Sequence, residues 1–488
     1  MVDAALRPRV AETHTGLVIL VGELAYKVKK PVTTDFLDFS SVASRERACA
    51  HEVELNSRLA PDSYLGVGHF EPPQGGAPEP VIVMRRHPDE VRLATMVRRG
   101  DDVTAELAAI ASLLAAFHSR AHRGADVDAE ARFEAVRGRW QENLAELARY
   151  ADGPVPGLDA RTVAAIERRA MSFLAGRAAL FARRISERRI VDGHADLLAD
   201  DIFCLPDGPA LLDCLEFDDR LRYVDGIDDA AFLAMDLEFL GRPDLGLFFT
   251  DRYTEQAADD CPESLRHFYI AYRAVVRAKV DCVRYTQGQP EAAADARRHL
   301  DIALEHLTAG TVRLILIGGG PGTGKTTLAR ALAERVGAQV ISTDDVRAHL
   351  AADGGITGEP GVLGEGLYSP ENIEAVYRTV LRTARAALED GRTVILDGTW
   401  SDPHMRDRAR ALAAESSAPI LELACTAPLG AAVGRIRTRG ATTSQVTPDI
   451  ATALADRAQD DWPGAHRIDT TRELAESVAE AVDLCLTS

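Results

Sequence analysis

Gly319-Gly320-Pro321-Gly322-Thr323-Gly324-Lys325-Thr326 fits the pattern G-x-x-x-x-G-K-[ST] in full, with the apolar run LILIG before it and TTLARALAERV, opening on Thr326-Thr327, after it. A strand before and a helix after are the context in which such a loop cradles phosphate. Its glycines let successive backbone N–H groups turn inward, and the helix N-terminus adds partial positive charge. Lys325 would reach the outer phosphates and the Thr326 hydroxyl would hold Mg²⁺. Two carboxylate-bearing segments follow, Ser342-Thr343-Asp344-Asp345-Val346-Arg347 and VILDGTW with Asp397. In an open α/β sheet ligands sit beyond the carboxyl ends of the strands, so both segments should face the loop. Asp344 could accept the proton of an attacking hydroxyl, Arg347 could steady a phosphate, and Asp397 could join Thr326 at the metal. Helix N-capping is the competing role for Asp344 and Asp345. Arg435 and Arg439 are four apart on one helix face, either neutralising transferred charge under a closing lid or forming a solvated basic face.

A second constellation lies at Val191–Ile202, where His194-Ala195-Asp196-Leu197-Leu198-Ala199-Asp200-Asp201 interrupts the helical pattern. Catalytic loops of the form H-x-D-L-x-x-x-N use the Asp to take a hydroxyl proton and a residue five positions on to hold metal. Asp196 and Asp201 have that spacing, with Asp in place of Asn keeping an oxygen ligand suited to Mg²⁺. LLDCLEFDD then supplies Asp213, Glu216 and Asp218 at a strand end, where a further metal-binding carboxylate is needed.

The elements that must position these groups follow from periodicity. Residues 17–30 read as a hairpin about Gly22-Glu23, 44–59 as a helix, 104–190 as helices broken near 152–158, and 227–307 as helices again. From residue 311 strands and helices alternate, which argues for a parallel sheet flanked by helices. Across 488 residues two or more cores are expected, and 46% hydrophobic with 27% charged residues excludes disordered and fibrous classes. A net charge of −19 opposes generic nucleic-acid binding. Seven scattered Cys form no CxxC pair, which points to reduced thiols rather than disulfides or zinc. No signal peptide or membrane span is read, so a cytoplasmic location is expected. His14, His69, His118, His122 and His404 show no ligand spacing and read as structural. Lys29 and Lys30 are expected to be solvated. Trp400 would either stack on a base or ring or pack at a rim.

The pieces GGPGTGKTT, STDDVR, VILDGTW and the Arg-rich segment resemble small P-loop kinases that phosphorylate hydroxyl groups: polynucleotide 5′-kinase domains, gluconate kinase, chloramphenicol phosphotransferase and zeta toxins. That resemblance implies Asp344 as base and Arg347 as phosphate ligand. HADLLADD, Glu216-Phe217 and YVDGIDDAAFLAMD, with Asp225 and Asp229, resemble the aminoglycoside phosphotransferase branch of the protein-kinase-like fold. It implies Lys27, in Ala25-Tyr26-Lys27, as a ligand of nucleotide phosphates, with Glu52 or else Glu54 as its helix partner. Ala195 replaces that family's Gly, Asp201 its Asn, and no glycine-rich loop precedes Lys27. The tandem resembles actinobacterial phosphotransferase/ATP-binding proteins. It implies an α+β kinase-like domain over 1–308 and an α/β P-loop domain, AAA_33- or zeta-toxin-like, over 309–488. The expected activity is transfer of the γ-phosphate of ATP (or GTP), with Mg²⁺, to an alcohol group of a small hydroxylated acceptor such as a sugar, aminosugar or antibiotic. The alternatives are a kinase of nucleic-acid 5′ ends, or a nucleotide-binding regulator with an inactive N-terminal pseudokinase.

Overall fold

Period-two alternation in the first hundred residues builds an antiparallel sheet with one face toward a helix. In the computed structural model, which describes residues 8–12, 16–32, 39–71, 75–359, 364–438 and 462–487, this sheet has strands β1 (Arg9–Glu12), β2 (Gly16–Val21), β3 (Leu24–Lys29), β4 (Tyr64–Phe70) and β5 (Glu79–Arg85). Their order is β1-β2-β3-β5-β4, every neighbouring pair antiparallel. The helix Val42–Asn56 starts at the Ser41 side chain, which caps the Ser44 N–H, and buries Cys49, Glu52 and Leu55. Ala25, Cys49, Tyr64, Ile82 and Met84 form a core with Phe203 and Leu212.

Helices then dominate, interrupted by β6 (Ile190–Asp192), β7 (Ile202–Leu205), β8 (Gly208–Leu211) and β9 (Tyr223–Asp225), which pair as two antiparallel ladders, β6 with β9 and β7 with β8. The loop bearing Asp196 lies between β6 and β7, and Asp213 follows β8. Antiparallel strands and helices together make an α+β architecture.

The remaining strands, β10 (Leu314–Gly318), β11 (Gln339–Ser342), β12 (Val394–Asp397), β13 (Ile420–Thr426) and β14 (His466–Asp469), form one sheet. Their order is β11-β12-β10-β13-β14, every pair parallel. β10 is central and wholly buried, as its unbroken apolar sequence requires. By contacts the chain divides into one unit of Met1–Val163, Phe181–Cys261 and Tyr269–Leu304, and a second of Ala164–Leu180, Pro262–Phe268 and Glu305–Ser488. Among the described residues no helix is long and apolar enough to cross a membrane.

Candidate active sites

In the second unit the phosphate loop joins the carboxyl end of β10 to the helix Lys325–Val336. Gly319 and Gly322 have φ of 136° and 75°. A Cβ on Gly322 would sit 2.4 Å from the Ala432 carbonyl oxygen, and one on Gly319 2.5 Å from that of Cys425. No other residue fits either place. Thr323 Oγ1 donates to the Gly320 carbonyl at 2.8 Å, and Lys325 Nζ donates to the same oxygen at 2.9 Å. Thr326 Oγ1 donates to Asp397 Oδ2 at 2.7 Å. Asp397 is 3% exposed at the end of β12. Burial pushes its pKa up, with Asp344 and Asp345 adding to the rise, while the Thr326 hydroxyl and Lys325 oppose it. A threonine hydroxyl bonded to a buried strand-end carboxylate is the donor pair a P-loop uses for Mg²⁺, so the residues fit that ion.

Asp344 is not the helix cap. Ser342 takes that role, its Oγ accepting the Asp344 N–H, and the Asp344 carboxylate instead pairs with Arg347 Nη1 at 2.6 Å. Arg347 is buried, with its guanidinium 4.4 Å from the Tyr368 ring centre. Arg435 is not a solvated basic residue either: it donates to the Thr470 carbonyl at 2.6 Å, and to Gly322 O and Thr470 Oγ1. It thereby ties the phosphate loop to the end of β14. Arg439 and His14 lie outside the described residues. Trp400 is neither stacking platform nor rim. It is fully buried, donates Nε1–H to Leu396 O at 3.1 Å, and meets Tyr377 edge-on. The basic residues near 404–410 are engaged internally: Arg406 with Trp400 O, Arg408 with Glu374, Arg410 with Glu422.

In the first unit Lys27 and Lys29, two apart on β3, share one face. Lys27 Nζ pairs with Glu52 at 2.8 Å and with Asp213 at 2.5 Å. Glu52 is the helix partner, and it serves both lysines. Lys29 is 2% exposed rather than solvated, pairing with Glu52 and, at 2.6 Å, with Glu216. Burial alone would lower the pKa of Lys27, but Asp213, Glu52 and Glu216 together raise it, so both lysines stay charged. Lys29→Ala would leave Glu52 with half its compensation and Glu216 without its partner. It is expected to cost about 3 kcal/mol of unfolding free energy in a denaturant titration, the usual cost of halving a buried ion pair. An unchanged midpoint would refute the assignment.

The catalytic-type loop is gripped from behind. Asp229 Oδ2 accepts the His194 N–H and Oδ1 the Ala195 N–H, both at 2.7 Å. Ala195 takes φ 68°, the left-handed conformation for which the resembling family uses Gly. His118, read as structural, holds Asp229 at 2.9 Å while its other nitrogen meets Tyr253 Oη at 2.8 Å. His194 is buried, and burial lowers its pKa. Its Nε2–H donates to Leu212 O, so Nδ1 accepts the Asp196 N–H. Arg58 and Arg273 hold the carbonyls of Gly193 and Ala195. Sequence reasoning missed Arg58, Arg273 and Tyr253, which carry no motif signal, and gave Asp229 only as part of a family resemblance.

Burial pushes Asp196 up to about 6, Asp213 and Glu216 adding and Arg277 and Arg273 opposing. Burial and the charges of Asp213 and Asp196 raise Asp201 well above the ordinary carboxylate range. Burial would raise Asp213 too, yet Lys27 holds it low. Among the described residues no three His, Cys, Asp or Glu side chains gather as a metal site by themselves. Mg²⁺ commonly takes only one or two carboxylates, its other ligands being phosphates and water, so Asp201 with Asp213 fits that ion.

Fold and sites thus define the arrangement: an α+β unit that carries the His194–Asp201 loop and a parallel α/β unit that carries a phosphate loop. Residues 314–459 match the family model AAA_33, an AAA domain. Over 472 residues the chain is 58% identical to the uncharacterized protein Rv2004c of Mycobacterium tuberculosis, an alignment spanning 97% of this chain and 94% of that one. The chain belongs to the same family as that mycobacterial protein. A cytidylate kinase of Archaeoglobus fulgidus is 37% identical over 87 residues, 18% of this chain and 46% of the kinase. Among solved structures, choline kinase from Cryptosporidium parvum aligns with 62% of this chain and 90% of its own at 9% identity and a TM-score of 0.39. A sugar kinase from Janibacter sp. aligns with 36% and 94% at 17% identity and a TM-score of 0.29.

Proposed function

We propose that the protein is an ATP·Mg²⁺-dependent phosphotransferase that phosphorylates a hydroxyl group of a small molecule, with 1–308 and 309–488 as its functional domains. The observation that carries this is the phosphate loop whose Thr326 hydroxyl bonds Asp397 while Asp344 and Arg347 pair nearby in the same unit. Thr326 and Asp397 would hold Mg²⁺, which when bound would supply positive charge to offset that of the donor phosphates. The loop N–H groups and Lys325 would bind the donor, with Thr326 and Asp397 orienting the metal and Thr327 beside them. Arg347, pre-aligned by Asp344 and Tyr368, would hold a phosphate. The Asp344 carboxylate would take the acceptor's hydroxyl proton as the oxygen attacks the γ-phosphorus and the bond from that phosphorus to the bridging β-phosphate oxygen breaks, releasing ADP. Arg435 would keep the loop in its receptive shape.

In the first unit the parallel assignment is Asp196 as base, Lys27 as phosphate ligand oriented by Glu52, and Asp201 with Asp213 at the metal. Glu216, considered as a metal ligand, is better used as the partner of Lys29. Acceptors such as nucleic-acid 5′ ends are disfavoured by the net charge of −19 and by the internal engagement of Arg406, Arg408 and Arg410.

The test is transfer of labelled γ-phosphate by the full chain to a panel of sugars, aminosugars, antibiotics and 5′-hydroxyl oligonucleotides. Asp344→Asn is expected to lower turnover by ~10²-fold or more with ATP affinity unchanged, the usual contribution of a positioned general base. ATP binding without transfer to any acceptor would favour the regulatory reading instead.

A further inference from the structure

A cavity of about 300 Å³ lies within the second unit, away from the phosphate loop. Arg168, Arg169, Arg177 and Arg313 line it, and no Asp or Glu does. It opens beside the amino ends of β10 and β13: Arg313 immediately precedes Leu314, whose N–H donates to the lining residue Pro419 at 3.0 Å. The phosphate loop leaves the other end of β10, about 16 Å away for five residues of strand.

Four arginines around one cavity in a chain of net charge −19 need an explanation. Arg168 and Arg169 are exposed, while Arg177 is 1% and Arg313 7% exposed. Arg177 Nη1 donates to Ser416 O at 2.6 Å, and Arg313 Nη1 to Thr311 O at 2.9 Å. The Nε of each is buried with no hydrogen-bond partner. Glu389 acts on Arg177 only through space, and among the described residues none of the four arginines has a carboxylate within ion-pair distance. Burial pushes Arg177 down to about 10 and lowers Arg313, so both remain charged at neutral pH without a counter-ion. Buried guanidinium groups with unspent donors are costly unless an anion satisfies them. The planar fork of Arg suits the oxygens of phosphate or carboxylate. Phe173 and Phe268, stacked at 4.4 Å, line the same cavity and offer an apolar wall to an organic body.

We propose that this cavity binds a compact organic anion, a phosphate or polycarboxylate, at a site separate from the phosphate loop. Desolvated arginines strengthen each contact, because the charge is screened by little water.

The test uses the full chain carrying Lys325→Ala, so that the phosphate loop does not compete, in metal-free low-salt buffer. Calorimetric titration with inorganic pyrophosphate and, separately, citrate is compared with the same chain also carrying Arg168→Ala and Arg169→Ala, exposed positions whose loss does not threaten folding. Affinity for at least one probe should fall tenfold or more in that variant, and Arg177→Met should remove binding. Which probe binds tells phosphate from carboxylate. Absence of binding by both probes, or equal affinity with and without Arg168 and Arg169, would overturn the proposal. Neither result depends on whether the phosphate loop transfers phosphate.

Discussion

Lys325→Ala is expected to weaken ATP·Mg²⁺ binding at the phosphate loop of the full-length chain roughly 100-fold. The lysine sits at the start of the helix Lys325–Val336 with its ammonium 2.9 Å from the Gly320 carbonyl, inside the curve of the loop. Removing it leaves the backbone cradle and the Thr326–Asp397 pair in place but withdraws the positive charge that Lys325 brings to the loop. A charged hydrogen bond is worth about 2–3 kcal/mol, so affinity should drop roughly 100-fold. At a nucleotide concentration a hundred times the wild-type Kd, ligand stabilisation would fall from about 2.7 to about 0.4 kcal/mol. Calorimetric affinity and the Tm shift with nucleotide read the two consequences independently. Unchanged affinity would sink the phosphate-loop assignment. The variant should remain folded, because the lysine head is not part of the buried core around Ile315, Ile317 and Leu328.

Why the phosphate loop could be read from sequence, and other parts of the sites could not, has a physical basis. The loop is a local object: glycine, lysine and threonine at fixed spacing dictate the backbone shape, and one flanking strand and helix complete it. The parallel sheet was legible for a similar reason, since buried strands such as LILIG and VILD read as unbroken apolar runs. Lys29 was not. Its partner Glu216 is 187 residues away, and nothing local distinguishes a buried lysine from a solvated one. A signal did exist, because period two puts Lys29 on the face of Lys27, where a functional lysine had already been expected. Trp400 shows the opposite error: an aromatic after a strand end suggests an exposed platform, but φ 50° turns it back into the core. The grip of Asp229 on the His194–Ala195 backbone explains how Ala stands where the family pattern has Gly. Two strong backbone hydrogen bonds to a buried carboxylate hold a conformation that costs an alanine about 1–2 kcal/mol. Such compensation is tertiary and leaves no trace in spacing.

Asp196→Asn should make the protein more stable and abolish transfer at the first site, and the two effects together separate a functional carboxylate from a structural one. Burial lifts the Asp196 carboxyl to about 6, against an ordinary value of 3.8. Raising a carboxyl pKa on folding means that the folded state holds the proton more tightly than the unfolded chain. Stability from this group is therefore full below pH ~4 and is lost as pH rises through ~6. A shift of about two units corresponds to roughly 3 kcal/mol, and partial access of water to the side chain reduces that to about 1–2 kcal/mol. Asparagine carries no charge to desolvate, so the stability advantage of the variant should open between pH 4 and 6 and stay constant above. Asp213, Glu216, Arg273 and Arg277 also face this carboxyl, and metal would alter their balance, so unfolding is to be followed with chelator present. A residue serving only to hold the loop would behave oppositely, losing stability on substitution at neutral pH. If Asp196→Asn destabilises the protein at pH 8, or transfer by a Lys325→Ala background survives it, Asp196 is not the base. A stabilised but inactive variant would show that the fold keeps a desolvated carboxylate for chemistry, at the expense of stability.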